Sequence, residues 1–179
     1  MKSTKMLIVS VVFGFLGYMA YAITVKYMEK ESLRERISTI PSFRFERLED
    51  GVFTEGDVTA NRPLILKYFN SSCEFCRIKA RQIKEELGKF NAFQLVFVST
   101  EEKADIENFA EVHGLSGHPN VVFLQDGNME FSKIFGTRSV PAAYLYDKDR
   151  RLVKEFRGAV GIESMLEAFQ NRNIKHPPL

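Results

Sequence analysis

The chain has 179 residues, 45% of them hydrophobic, and a formal net charge of +2 from 25 Lys and Arg against 23 Asp and Glu. That length suits one compact domain plus an appendage, and a second globular domain is not expected. Basic residues are interleaved with acidic ones and form no stripe, so no nucleic-acid partner is expected, and sixteen phenylalanines without a tryptophan point to a Phe-rich core.

Residues 1–5 are a short tail carrying Lys2 and Lys5. Met6 to Val25 is uncharged throughout, and about 20 apolar residues suffice to cross a bilayer, so residues 6–25 are expected to enter or span a membrane. Tyr18, Tyr21 and Tyr27 near its outer end suit the interfacial aromatic belt. Ala20-Tyr-Ala22 also has the small-x-small form of a signal-peptide cleavage site. A retained anchor is favoured because apolar character continues through Val25; cleavage stays open. No cysteine lies near the segment, so lipid attachment through an N-terminal cysteine is not expected. The flanking charges, Lys2 and Lys5 against Lys26, Lys30, Arg34 and Arg36, do not themselves decide the orientation. Residues 26–42 are highly charged, with scattered Leu33, Ile37 and Ile40, and are expected to form a helical stalk ending at Pro41.

A domain is expected over 43–172, followed by a C-terminal tail over 173–179. Phe43 to Arg47 and Val52 to Thr54, separated by Glu49-Asp-Gly51, predict an N-terminal hairpin. Leu64 to Phe69 then predicts a buried strand, Cys73 to Leu87 a helix, Phe93 to Val98 a strand, Glu101 to His113 a helix and Val121 to Leu124 a short strand. After Asp126-Gly127 comes a short helix over Met129 to Phe135. Ala142 to Tyr146 and Arg151 to Phe156 flank a turn at 147–150, and Ile162 to Phe169 has the spacing of an amphipathic helix. Alternating strands and helices followed by an antiparallel hairpin imply an α/β fold: a mixed central sheet with helices on both faces.

Cys73 and Cys76, in Ser-Ser-Cys-Glu-Phe-Cys-Arg, are the only cysteines and fall where a strand turns into a helix. Backbone N–H groups and the positive dipole end favour a thiolate there. Together with Val140-Pro141, the following hairpin, Gly158 and the last helix, this pair resembles the thioredoxin superfamily over about residues 43 to 170. Glu74 and the N-terminal apolar segment narrow the resemblance to membrane-anchored TlpA/ResA-like thiol-disulfide oxidoreductases. The resemblance implies that Cys73 is the nucleophile and Cys76 the resolving thiol. It also implies that a cis Val140-Pro141 bond sets the Val140 backbone opposite the sulfurs, where it pairs with an extended substrate. Protein disulfides or dithiols would be the substrates, a membrane redox partner the electron source, and the periplasmic or extracytoplasmic side the location. Neither a cofactor nor a metal is implied.

The chain departs from that pattern at four positions. Lys67 stands where many thioredoxins have a buried acid, and Lys79 where ResA-like proteins have a glutamate. Phe75 replaces the usual proline and Ser72 the usual tryptophan. Lys67 and Lys79, together with Glu74, are candidate modulators: a lysine near the sulfurs lowers a thiolate pKa, whereas one in solvent does nothing. His113 and His118 lack the spacing of a closed Cys/His zinc pattern. Glu101-Glu102 suits a solvated helix start. Ser71-Ser72-Cys73 faintly resembles the Thr-x-x-Cys of peroxiredoxins without its companion proline and threonine. The competing functions are a copper-binding delivery module using the same cysteines and a scaffold whose disulfide is only a staple.

Overall fold

The computed structural model describes residues 2–175, and the side chains of 13–172. It falls into two compact units, 1–36 and 37–179. The first is a continuous helix, α1 (Lys2–Arg36). Phe13, Phe15, Leu16, Tyr18, Met19, Tyr21 and Ile23 are all exposed, and at 3.6 residues per turn they cover every side of the helix rather than one stripe. Among the described residues no helix is long and apolar enough to cross a membrane; within the 6–25 run the side chains of 6–12 lie outside the described residues.

The second unit is built from β1 (Arg44–Arg47), β2 (Val52–Thr54), β3 (Leu64–Tyr68), α2 (Glu74–Glu85), β4 (Gln94–Ser99), α3 (Lys103–Val112), β5 (Val121–Gln125), α4 (Glu130–Phe135), β6 (Ala142–Tyr146), β7 (Leu152–Arg157) and α5 (Ile162–Lys175). Seven strands form one sheet in the order β2-β1-β5-β4-β3-β6-β7. The central β3, β4 and β5 are parallel, and all other pairings are antiparallel. The N-terminal hairpin therefore extends the sheet past β5.

β3 is buried along its whole length, as a strand with neighbours on both edges and helices on both faces must be. One face carries Ile65, Phe97, Ala143 and Leu145, packed with Cys76, Ala80 and Ile83 of α2, Ile106 and Phe109 of α3, and Met165 and Phe169 of α5. On the other, Phe131 of α4 stacks on Tyr68 at 4.4 Å between centroids, and Phe135 lies 4.6 Å from Tyr144.

The expected stalk ends early. The helix stops at Arg36, and Ile37, only 1% exposed, is already part of the domain core. Thr39 bridges Arg151, the Ile40 amide donates to the Arg150 carbonyl at 3.0 Å, and the Leu152 amide donates to the Ser38 carbonyl at 2.7 Å. The buried Ile37 and the backbone pairing of 38–40 hold this segment on the domain. At the other end α5 runs to Lys175, so the first three residues of the expected tail are helical, and 176–179 lie outside the described residues.

Candidate active site

β3 delivers the chain to the Cys73–Cys76 pair through a short loop. Its turn closes with the Cys73 amide donating to the Asn70 carbonyl at 3.2 Å, and α2 starts with the Arg77 amide donating to the Cys73 carbonyl at 3.1 Å. Cys73 is the N-cap residue, with extended backbone angles, and its Sγ accepts from the Cys76 amide at 3.4 Å. An N-cap thiol occupies the place usually taken by a serine or aspartate oxygen, where negative charge is stabilised by the unpaired amides of the first turn. Cys76 is one turn along, on the face shared with Ala80 and Ile83, and is 4% exposed whereas Cys73 is half-buried. Both sulfurs are free thiols. Burial pushes the Cys76 thiol up to about 12, reinforced by the hydrogen bond to Cys73, while Lys67 acts in the opposite direction.

The loop before β6 closes over the pair. The Val140-Pro141 bond is cis, Pro141 is buried and Val140 half-buried. The Val140 carbonyl lies 4.0 Å from the Cys73 Sγ, at the outer reach of a thiol donor. Glu74 and Phe75 point outward from the helix start, Phe75 being 60% exposed.

The two lysines part company. Lys79 is half-buried and donates to Gln82 Oε1 at 2.9 Å, along its own helix. Lys67 is 3% exposed in the middle of β3. Burial lowers its ammonium to about 8, against the favourable charge of Cys76 and together with repulsion from Lys79. A lysine interrupting an otherwise apolar run was the available signal for this burial.

Glu101 is not a solvated helix-start residue. One carboxylate oxygen accepts from the Ser71 amide at 2.6 Å and the Ser99 hydroxyl at 2.9 Å, and the other accepts from the Ser71 hydroxyl at 2.6 Å. It thus ties the loop that carries Cys73 to the end of β4. Sequence reasoning missed this role, since no local pattern links residue 71 to residue 101. His113 packs edge-on to Phe109 at 4.5 Å, and His118 meets Lys84 and the Gly114 carbonyl, each at 3.2 Å. Among the described residues no group of three or more His, Cys, Asp or Glu side chains is placed to hold a metal ion.

The model of the AhpC/TSA family matches residues 38–155. No curated protein matches the chain significantly. Among solved structures, a secreted Mycobacterium tuberculosis disulfide oxidoreductase homologous to Escherichia coli DsbE superimposes with a TM-score of 0.62 at 17% identity, covering 76% of this chain and 98% of that one. A thioredoxin-like protein from Aeropyrum pernix gives 0.62 at 13% identity over 87% and 99%. The exposed lipoprotein thioredoxin Etrx1 of Streptococcus pneumoniae gives 0.56 at 22% identity over 73% and 98%. At these identities the likeness is one of fold, and the fold is thioredoxin-like.

Proposed function

The chain belongs to the AhpC/TSA family and is an oxidoreductase of thioredoxin-like fold, and from that premise we propose that it exchanges thiols and disulfides with client proteins through Cys73 and Cys76. The observation that carries this reading is the asymmetry of the pair: a half-exposed N-cap sulfur at Cys73 and a buried thiol one turn behind it. Cys73, as thiolate, attacks one sulfur of a client disulfide. The other client sulfur leaves as a thiolate and takes a proton, and a mixed disulfide remains. Cys76 then attacks the Cys73 Sγ, the second client thiol leaves, and the pair is left as a disulfide that must be reduced again. Val140 and Pro141 frame the client segment, with the Val140 carbonyl accepting from its backbone. Glu74, exposed beside Cys73, puts a negative charge at the mouth of the site.

On this reading the protein reduces or isomerises disulfides of envelope proteins. Residues 6–25 hold it in the membrane as a single-pass, TlpA/ResA-like protein facing the periplasmic or extracytoplasmic side, and a membrane redox partner supplies the electrons. The support for the anchor is an uncharged run of sufficient length and exposed apolar side chains on every side of α1. Lys67 tunes the direction of the chemistry. A buried cation favours the thiolate form over the disulfide, which raises the potential.

Equilibration of the full chain with glutathione, read by thiol labelling, tests the proposal. A reversible two-electron transition is expected, displaced from about −270 mV, typical of thioredoxin, towards about −180 mV, typical of an isomerase. Cys73→Ser should abolish it. Stoichiometric, tight copper binding by the reduced protein without such a transition would favour the delivery module instead. A peroxidase reading gains nothing from Ser71, whose hydroxyl is already committed to Glu101.

A further inference from the structure

We propose that the side-chain amine of Lys67 is the proton acceptor for Cys76, taking the proton of its thiol inside the domain so that Cys76 can attack the mixed disulfide. This rests on the exchange reading above and names a residue that serves its second step.

The placement follows from two periodicities. Successive side chains of β3 alternate between the faces of the sheet, so Lys67 shares a face with Ile65, and Ile65 is packed in one cluster with Cys76 and Ala80 of α2. Along α2 the residues turned to that face are Cys76, Ala80 and Ile83. The helix therefore presents Cys76 to the same layer into which β3 presents Lys67. In register beside Lys67 lie Phe97 of β4 and Ala143 of β6, both apolar members of the cluster. α3 and α5 add Ile106, Phe109, Met165 and Phe169 to it.

The titratable groups that act on Lys67 are thus the Cys76 thiol and the Lys79 ammonium, both from α2, and no carboxylate is among them. A buried ammonium without a carboxylate is costly, and so is a buried thiolate. Loss of a single proton leaves the pair with no net charge, as amine and thiol or as ammonium and thiolate, and the ion pair is cheaper than either buried charge alone. Burial brings that loss to about pH 8 at Lys67 and pushes the Cys76 thiol up to about 12. Because the two groups interact, the proton belongs to the pair rather than to either residue.

The step balances as follows. The neutral amine takes the thiol proton, giving ammonium and thiolate. The Cys76 thiolate attacks the Cys73 Sγ, a sulfur–sulfur bond forms between them, and the bond to the client sulfur breaks with its electron pair. The departing client thiolate takes a proton from solvent, and the ammonium returns its proton to solvent. Over the full cycle one client disulfide is reduced to two thiols and the Cys73–Cys76 dithiol is oxidised to a disulfide.

The test uses the full chain and 5,5′-dithiobis(2-nitrobenzoate), a small aromatic disulfide that releases a coloured thiolate. Attack by Cys73 releases the first equivalent, and attack by Cys76 on the mixed disulfide releases the second. In the unaltered protein the second release should accelerate with pH and level off near pH 8, where the pair has lost its shared proton. Lys67→Met is read as the rate of its second release relative to its first. It should slow the second by about tenfold or more at pH 7.5, with a rate that keeps rising about tenfold per pH unit beyond 8, as expected when only an unassisted thiol ionises. A second release in Lys67→Met with wild-type rate and profile overturns the proposal, as does a wild-type second release that never levels off. The wild-type profile decides even where the variant does not fold. Absence of the first release from the unaltered protein removes the exchange reading and this inference together.

Discussion

Lys67 interrupts a strand that is buried along its whole length, and its cost to folding has a definite pH dependence. Its ammonium falls from the ordinary 10.5 to about 8 on folding, chiefly through burial. Between these values the unfolded chain binds more protons than the folded one, so stability rises with pH across the window and the full cost is present below pH 8. A shift of that size corresponds to about 3 kcal/mol, to order of magnitude. Lys67→Met, which fills the same space without the charge, should therefore stabilise the dithiol form at pH 7 by roughly 1–3 kcal/mol. The advantage should shrink as pH approaches 10. Urea unfolding of both proteins under excess reductant, at pH 7 and pH 9.5, measures it. A Met variant less stable at pH 7 would contradict the burial cost. Both proteins retain Cys76, whose raised pKa acts in the opposite sense above its ordinary value of 9.

At the scale of elements, the site depends on how tightly the β3–α2 loop is held. Glu101 does this with three short hydrogen bonds to Ser71 and Ser99. Glu101→Ala leaves the Ser71 amide without its acceptor and should destabilise the domain by about 1–3 kcal/mol. It should also slow the attack of Cys73 on a disulfide, because the N-cap turn is no longer fixed; urea titration and the rate of the first thiol release read the two effects. This clamp marks the boundary of what the sequence made legible. Elements with a strong period were readable from their own residues: the apolar run of β3 and the helix that starts at the cysteine pair fall where spacing placed them, with helix ends differing by a few residues. Local motif and order along the chain singled out the Cys73–Cys76 pair and the Val140-Pro141 loop, and the structure sets the Val140 carbonyl 4.0 Å from the Cys73 Sγ. Glu101 and residues 37–42 were not readable in this way, since their roles depend on partners far along the chain, and for Lys67 only the apolar run around it signalled burial. Charge alone made Glu101 look solvated, and the charged run of 26–36 drew the uncharged 37–42 into the expected stalk.

At the scale of the whole molecule, the chain divides at Arg36 and Ile37 into a helix with exposed apolar side chains and a domain with a Phe-rich core. The proposed anchoring predicts that a reporter fused after Leu179 is active when it requires the extracytoplasmic side and silent when it requires the cytoplasm. The protein should also stay with the membrane fraction through alkaline extraction. A reporter active in the cytoplasm would reverse the proposed orientation, and release by alkali would remove the anchor.

The segment that follows the helix carries a consequence for synthesis. The Tyr146 hydroxyl donates to the Ile37 carbonyl across 109 positions, and the Leu152 amide donates to the Ser38 carbonyl. A ribosome that has released residues 37–42 has still to make the hairpin that holds them. The first stretch of the domain to emerge is therefore among the last to find its partners, and it must wait, unpaired, until nearly the whole sheet has been translated.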